Sequence, residues 1–431
     1  MNFIPTDLIF EIFSRLPEKS IARCCCVSKQ WASMLHLPYF TELLLTKSLA
    51  RPRLLFDVKD GGAYRFFSVL QPQHPYENSS SLVVAADFHM NFPRSNMWTR
   101  GSSDQTFPCA YASGLIYFPD TWISIERDKI VPVICNPNTG QYAILPQLPY
   151  IYWNPFNQKK PSSFLGFDPI GKEYKVLFID YRYSYEGYDQ IIHTLGSVKM
   201  MWSNIICPLV HEPLSEGVCI DGVLYYLACV IVLGNVIVCF DVRSEEFFKF
   251  INADLFSGWR TTHIVNYKGK LCVICFKYDG ERIVHKDVVL RMWVLEDVEE
   301  LAWSKHDYTL SDYKLVYHFL DTLVAGVTAM GEIVFSMKCR GSPFYVFYVN
   351  PEKNTFQSVK IRGFVGCNDD ERSDRVYTFV DQVADLNVNY AELFKTSISA
   401  PSVKNKNGLN IINKGPKPQR QEKLRKGKKG R

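Results

Sequence analysis

The sequence has little of what marks an exported protein. Its first residues contain no basic cluster, and acids interrupt every apolar run there, so they do not form a secretory signal. The 13 cysteines are odd in number and follow no framework spacing, which argues against a disulfide scaffold and favours a reducing compartment. We therefore expect the protein in the nucleus, in the cytoplasm or in both.

Long charge-free runs are also scarce, and one of them competes for a membrane assignment. Residues 222–240 contain no charge, and a spanning helix needs about 20 apolar residues. Leu233, Gly234 and Asn235 place a turn signal inside this run, and its Val, Ile and Tyr residues favour strands. We predict two buried strands joined by a tight turn, and no contact with a membrane.

The motifs of the common enzyme classes are missing as well. The nine histidines lack metal-ligand spacing, and Gly-x-Ser-x-Gly, the P-loop and Gly-x-Gly-x-x-Gly are absent. Cys272 and Cys275 form one CxxC pair in an apolar strand, where residues three apart point to opposite faces. We interpret both as core cysteines, and we expect no catalytic residue, no metal and no cofactor.

The net charge of +5 is unevenly distributed along the chain. Residues 402–431 carry +10, whereas the preceding 401 residues carry −5. This tail has few core-forming residues, so we predict that it is disordered. Its densest basic cluster consists of Lys423, Arg425, Lys426, Lys428, Lys429 and Arg431. The cluster can be a nuclear import signal or an extension without a set role. The absence of aromatic residues between the charges argues against stacking of nucleic-acid bases on this segment.

Residues 4–40 differ from the rest because they carry helical periodicity. One apolar stripe consists of Leu8, Ile9, Ile12, Phe13 and Leu16. The stripe predicts a helix that Pro17 ends, and Ser20 and Ser28 are the expected N-caps of two further helices, with Pro38 closing the segment. So short a segment either packs on the following domain as a lid or fits its stripe into a groove of another protein, and periodicity leaves both open.

From about residue 51, β-branched and aromatic runs alternate with turn residues. One unit recurs: a turn with Gly, two strands, an Asx or acidic turn and a third strand. The recurring glycines are Gly114, Gly222, Gly269 and Gly331, and the second turns contain Asn136, Asp241, Asp297 and Asn350. Such units at intervals of roughly 40–60 residues fit propeller blades. We predict a mainly β chain with a propeller of six to eight blades, with a pair of β-sandwiches as the alternative.

Residues 4–40 resemble an F-box. The motif elements in order are Ile4-Pro5, Asp7-Leu8, Glu11-Ile12, Arg15 to Pro17, Lys19-Ser20, Arg23, Val27 to Lys29, Trp31, Pro38 and Phe40. Ile4 replaces the more frequent Leu, and three successive cysteines, Cys24 to Cys26, replace one Cys beside larger residues. The resemblance implies binding to the Skp adaptor of a cullin-based ubiquitin ligase. The adaptor-binding residues that it implies are Ile4, Pro5, Leu8, Ile12, Leu16, Pro17, Val27 and Trp31. Two of these, Leu16 and Val27, can instead hold the helices together.

Residues 51–390 resemble the plant F-box-associated β-propeller domain, a kelch-like fold, in strings such as NPNTGQYAILP, FLGFDPIGKEYKVL and VYTFVDQVADL. The expected domains are an F-box at 1–45, a propeller at 51–395 and the basic tail at 402–431. The resemblance implies a non-catalytic subunit that recruits an unknown substrate protein through the propeller. The alternatives are an F-box protein that acts outside a ligase, a protein that binds nucleic acid through its tail, and a propeller enzyme.

One exposed aromatic loop is a candidate for substrate binding. It contains Tyr150, Tyr152, Trp153 and Phe156. Aromatic side chains in a loop rich in Pro and Asn can form a recognition surface. The alternative interpretation is a long loop between blades that binds nothing.

Overall fold

The computed structural model describes residues 5–16, 18–60, 63–72, 82–92, 97–99, 110–123, 129–147, 161–184, 187–196, 201–256, 259, 261–278, 288–310, 321–339, 343–364 and 375–382. Four helices come first: α1 (Thr6–Phe13), α2 (Glu18–Cys25), α3 (Lys29–Leu35) and α4 (Pro38–Leu49). The sequence predicted three helices. The expectation that Pro38 closes the segment was wrong, because proline is well suited to the first turn of a helix and here begins α4.

The predicted caps of the helices have mixed outcomes. Ser28 is the N-cap of α3, where its hydroxyl accepts a hydrogen bond from the backbone N–H of Trp31 at 3.1 Å. Ser20 lies inside α2, so its prediction as a cap was wrong. The helix begins two residues earlier, at Glu18.

The helices share a small apolar core of their own. Its buried members are Phe10, Phe13, Ile21, Leu35, Phe40 and Leu44. Phe13 meets Trp31 edge to face with ring centroids 5.0 Å apart, a favourable geometry for aromatic pairs. Between α1 and α4, Lys47 donates from its Nζ to a carboxylate oxygen of Glu11 at 2.7 Å. The fourth helix thus adds both apolar and polar contacts to the helical segment.

The strands follow from residue 53 onwards. In chain order they are β1 (Arg53–Asp60), β2 (Ala63–Leu70), β3 (Leu82–Ala85), β4 (Asp87–Phe92), β5 (Met97–Thr99), β6 (Ala110–Ala112), β7 (Leu115–Ile123), β8 (Lys129–Cys135), β9 (Tyr142–Ile144), β10 (Ser162–Asp168), β11 (Glu173–Ser184), β12 (Gly187–Gly196), β13 (Trp202–Asn204), β14 (Glu212–Pro213), β15 (Val218–Ile220), β16 (Val223–Val230), β17 (Gly234–Asp241), β18 (Glu246–Asn252), β19 (Thr261–Tyr267), β20 (Lys270–Tyr278), β21 (Val288–Asp297), β22 (Ala302–Leu310), β23 (Thr322–Val327), β24 (Ile333–Met337), β25 (Phe344–Asn350), β26 (Thr355–Arg362) and β27 (Val376–Gln382).

These strands form the six blades of a β-propeller, which confirms the predicted architecture and replaces the sandwich alternative. Blade 1 is β27-β1-β2-β4, and blade 2 is β5 and β6 beside β7-β8-β9. Blade 3 is β10-β11-β12-β13, and blade 4 is β14 and β15 beside β16-β17-β18. Blade 5 is β19-β20-β21-β22, and blade 6 is β23-β24-β25-β26-β3.

The propeller is closed by strands from both ends of its sequence. β27 pairs antiparallel with β1, with Thr378 opposite Phe56, so the last strand completes the blade that the first strand begins. β3 adds to the outer edge of blade 6 in parallel with β26, with Leu82 opposite Val359. Pairing between distant segments therefore holds blades 1 and 6 together in two places.

A separate apolar cluster fills each space between neighbouring blades, which we call a seam. Both faces of every blade are consequently buried, so the strands read as continuous apolar runs rather than as alternating ones. Cys272 packs in the seam between blades 5 and 6, whereas Cys275 packs in the seam between blades 4 and 5. The prediction of two core cysteines on opposite faces is confirmed.

Burial of both faces of a blade also explains the charge-free run at 222–240. It forms β16 and β17, a hairpin in which Val230 pairs with Gly234, as predicted. Among the residues with assigned structure, no helix has the length and apolar character to span a membrane. The seams explain the run, because each of these two strands contributes to the clusters on both sides of blade 4.

The two recurrent turns of the sequence lie at one end of the blades. The four glycines have φ between 83° and 85°, a left-handed conformation that a Cβ would strain. In the second set of turns, a side-chain oxygen caps the backbone: Asp241 accepts from the N–H of Ser244 at 2.7 Å, and Asn350 from that of Lys353 at 3.0 Å. Antiparallel pairing puts both sets on the same face of the ring, which we call the turn face.

Candidate protein-binding surfaces

The helical segment leaves large apolar side chains exposed on α1 and just after α2. Leu8 and Ile12 are 56% and 54% exposed, and they lie one helical turn apart. Val27, after α2, is 67% exposed, and Pro5 is exposed at the start of α1. Large aliphatic side chains held in solvent by a folded core are typical of a surface that a partner covers.

Two other residues of the predicted adaptor-binding set are partly buried in the helical core. Leu16 and Trp31 are half-buried and pack against it. The sequence left open whether Leu16 and Val27 bind the adaptor or hold the helices together. In the structure, Leu16 packs against the helical core, whereas Val27 faces solvent. Ile4 and Pro17 lie outside the described residues.

A charged network borders this surface. The guanidinium of Arg15 donates from Nε and from a terminal nitrogen to one oxygen of Glu11, at 2.9 and 2.7 Å, while Lys47 donates to the other oxygen at 2.7 Å. The hydrogen bond from Lys47, followed by that from Arg15, lowers the pKa of Glu11. Lys47 also donates to the hydroxyl of Ser14 at 2.7 Å. The network holds α1 against α4 beside the exposed Leu8 and Ile12.

Sequence reasoning missed two exposed apolar residues at the start of α4. Leu37 and Tyr39 are both exposed and flank the proline that begins the helix. The ring of Tyr39 lies 5.7 Å from that of Phe10, centroid to centroid. Pro38 itself was the signal that could have located this helix start, because proline is well suited to the first turn of a helix.

One Cys–His pair in blade 4 invites comparison with a catalytic dyad. The Sγ of Cys207 lies 3.6 Å from Nδ1 of His211. That nitrogen is 2.8 Å from the carbonyl of Leu209, which can only accept, so Nδ1 carries the proton. Nε2 then accepts from the hydroxyl of Tyr226 at 2.6 Å. The imidazole has no free acceptor for the thiol, and burial raises the pKa of Cys207 to about 11. The pair fastens blade 4 and does not activate a nucleophile.

Two sets of predicted site residues lie outside the part of the chain that the structure describes. They are the aromatic loop residues Tyr150, Tyr152, Trp153 and Phe156, and the basic cluster Lys423, Arg425, Lys426, Lys428, Lys429 and Arg431. Both stay predictions. Among the described residues, no group of three or more His, Cys, Asp or Glu side chains is arranged to hold a metal ion.

Known families and relatives match the chain along most of its length. Residues 2–43 match the F-box domain, and residues 53–383 match the F-box associated beta propeller domain. F-box protein At3g57590 of Arabidopsis thaliana is 49% identical over 409 residues, which cover 93% of this chain and 95% of the relative. Putative F-box protein At1g33020 of the same plant is 50% identical over 393 residues, covering 90% of this chain and 66% of the relative.

Among solved structures, the β-propeller domain of the trilobed protease from Pyrococcus furiosus aligns with 58% of this chain and 69% of its own. The TM-score is 0.35 and the sequence identity 11%, so this likeness carries no functional argument.

Proposed function

Because the chain belongs to the F-box proteins that carry an F-box associated β-propeller domain, we propose that it is the substrate-recognition subunit of a Skp-cullin-F-box ubiquitin ligase. The helical segment binds the Skp adaptor, and the propeller recruits a substrate protein for ubiquitination. The observation that carries the proposal is the apolar surface of Leu8, Ile12 and Val27, which the helical core leaves in solvent.

The proposed mechanism is proximity. An adaptor that holds a substrate beside the ubiquitin-loaded conjugating enzyme raises the effective concentration of substrate lysines near the thioester. The recognition subunit then contributes binding and orientation, and the conjugating enzyme supplies the reactive bond. This role needs no nucleophile or metal ion from the propeller.

A pulldown with a purified Skp adaptor tests the proposal. The full chain is compared with Leu8→Arg, Ile12→Arg and Trp31→Ala. A charge placed on an apolar interface must be desolvated, so we expect each Arg variant to recover at least about tenfold less adaptor. Trp31→Ala also removes the contact with Phe13, so its thermal unfolding is measured in parallel.

The matched control is Leu49→Arg, which places the same charge on an exposed leucine at the end of α4, outside the implied surface. It should recover as much adaptor as the unmodified chain. Equal recovery by the control and by both α1 variants would contradict the proposal.

A further inference from the structure

A second exposed apolar surface lies on blade 4, at the end opposite the turn face. It consists of Val210, Ile231, Val232, Leu233 and Leu255, and we call it the blade-4 rim. Ile231 and Val232, in the turn between β16 and β17, are 93% and 89% exposed. Hairpin turns are usually polar or rich in glycine, so β-branched aliphatic residues here need an explanation other than the fold.

Backbone pairing joins the segments of the rim into one surface. β14 pairs with the end of β16 through Glu212 and Cys229, so Val210 approaches Ile231 from one side. The segment after β18 hydrogen-bonds to the start of β17, from the N–H of residue 253 to the carbonyl of residue 235 at 2.8 Å. That bond places Leu255 beside the same turn.

Hydrogen bonds to β16 also fix the position of the segment that carries Val210. The residue after Val210 is His211, which is buried and bonded to Tyr226 in the middle strand of the blade. The backbone N–H of Leu214 donates to the carbonyl of Leu227 at 2.8 Å. A surface fixed in this way loses little conformational freedom when a partner binds.

The charges around the rim indicate the character of its partner. Glu212 and Asp254 lie beside the aliphatic residues, and residues 201–217, 228–236 and 250–256, which carry the rim, contain no Lys or Arg. Desolvation by the surrounding protein raises the pKa of Glu216, although its side chain reaches solvent, so the argument rests on the other two carboxylates. An aliphatic surface bordered by carboxylates is complementary to a segment with aliphatic and basic side chains.

We propose that the blade-4 rim binds a protein segment in which aliphatic side chains stand next to Lys or Arg. The inference rests on the proposed function, since such a segment would be the recruitment signal of the substrate. The aliphatic residues supply the buried area, and Glu212 and Asp254 favour basic side chains over acidic ones.

Selection from a displayed library of random peptides on the purified full chain tests the inference. The same library is selected on the double variant Ile231→Ser/Val232→Ser. The matched control is Ile170→Ser/Met330→Ser, which removes two exposed aliphatic residues from the turn face. All four positions are largely in solvent, so the substitutions should leave thermal unfolding unchanged.

We expect one class of peptides to be enriched on the unmodified chain and on the control, and to be lost on the rim variant. These peptides should contain Leu, Ile or Val together with Lys or Arg. Their affinity should fall about three- to tenfold in Glu212→Gln/Asp254→Asn at low salt, and less at high salt, because exposed charges are screened.

Three outcomes would overturn the inference. The first is that no peptide depends on the rim, and the second is that the rim-dependent peptides are acidic or uncharged. The third is that the unmodified chain forms a dimer in sedimentation while the rim variant is a monomer, which would make a second copy the occupant. Adaptor recovery is measured on the same proteins, so failure of the rim alone is distinguishable from failure of the proposed function.

Discussion

At the scale of single residues, Asp57 is the feature that the fold explains least. It is fully buried in blade 1, on the strand face that also carries Leu55 into the seam with blade 2. Both of its carboxylate oxygens lack a hydrogen-bond partner, so no protein group replaces the hydrogen bonds that water would donate to the charged form. Burial raises the pKa of Asp57 well above its ordinary value, against a smaller lowering by Lys59.

The raised pKa of Asp57 predicts a stability that falls with pH. The unfolded chain releases this proton near pH 4, whereas the folded chain holds it to higher pH. Between those two pKa values the folded state binds more protons, so stability is full below pH 4 and is lost as pH rises through the folded pKa. Asp57→Asn removes this titrating group. At pH 8 it should raise the free energy of unfolding by about 1–3 kcal/mol, which appears as a higher urea midpoint.

Urea unfolding at pH 5 and pH 8 measures this effect. The exposed substitution Glu300→Gln, in a turn of blade 5, is the control for the loss of one acidic side chain. An Asp57→Asn chain that loses as much stability between the two pH values as the unmodified chain would show that other groups titrate.

Leu16 and Val27 illustrate what residue patterns alone leave open. Both fit the F-box motif, and both have apolar neighbours in sequence, but only their position relative to the helical core separates them. Val27→Asp should lower adaptor recovery with unchanged thermal unfolding, since the side chain is 67% exposed.

Leu16→Ala should destabilise the helical segment by about 1–3 kcal/mol, which is less than the cost of truncating a fully buried leucine. The reverse assignment of the two effects would refute this division.

At the scale of elements, α3 shows how one local signal can be tested. Its N-cap Ser28 satisfies a backbone N–H that the helix itself cannot pair. Ser28→Ala should cost about 1 kcal/mol and increase hydrogen exchange of the amides in residues 29–35. Ser28→Asp keeps an acceptor at the cap and should retain most of the protection. Similar exchange in the Ala and Asp variants would mean that tertiary packing, and not the cap, holds the helix.

The repeated turns were predictable because their chemistry is local. A left-handed Gly and an Asx oxygen that caps nearby N–H groups act within a few residues, so each copy shows the same letters. The prediction of Ser20 as a cap was wrong because the choice of a cap is not determined locally. Several residues near a helix start can cap it, and the docking of α2 on the helical core decides which one does.

At the scale of the whole molecule, closure of the ring depends on a strand that is distant in sequence from its partner. Ending the chain after residue 374 removes β27, which leaves the inner edge of β1 unpaired and the seams of blade 1 open to water. We expect this truncation to lose cooperative thermal unfolding. Ending the chain after residue 401 keeps β27 and should unfold like the full chain, and equal behaviour of both truncations would contradict the closure.

The chain that ends at residue 401 also addresses the basic tail, whose function stays a prediction. A fluorescent fusion of the full chain should enter the nucleus more than the chain that ends at residue 401 if the cluster near Arg425 is an import signal. Equal distribution would favour an extension without a set role. Salt-dependent retention on nucleic acid that requires the tail would support the third interpretation.

The sequence by itself determined the helical segment, the repeated blade unit, its two kinds of turn and the opposite faces of Cys272 and Cys275. These follow from periodicity and turn chemistry, which act over a few residues. The tertiary structure alone decided the number of blades, the pairing of β27 and β3, the burial of Asp57 and the exposure of Ile231. Those features depend on which distant segments pack together, and a seam buries whatever side chain the neighbouring blade covers, so no local pattern reveals them.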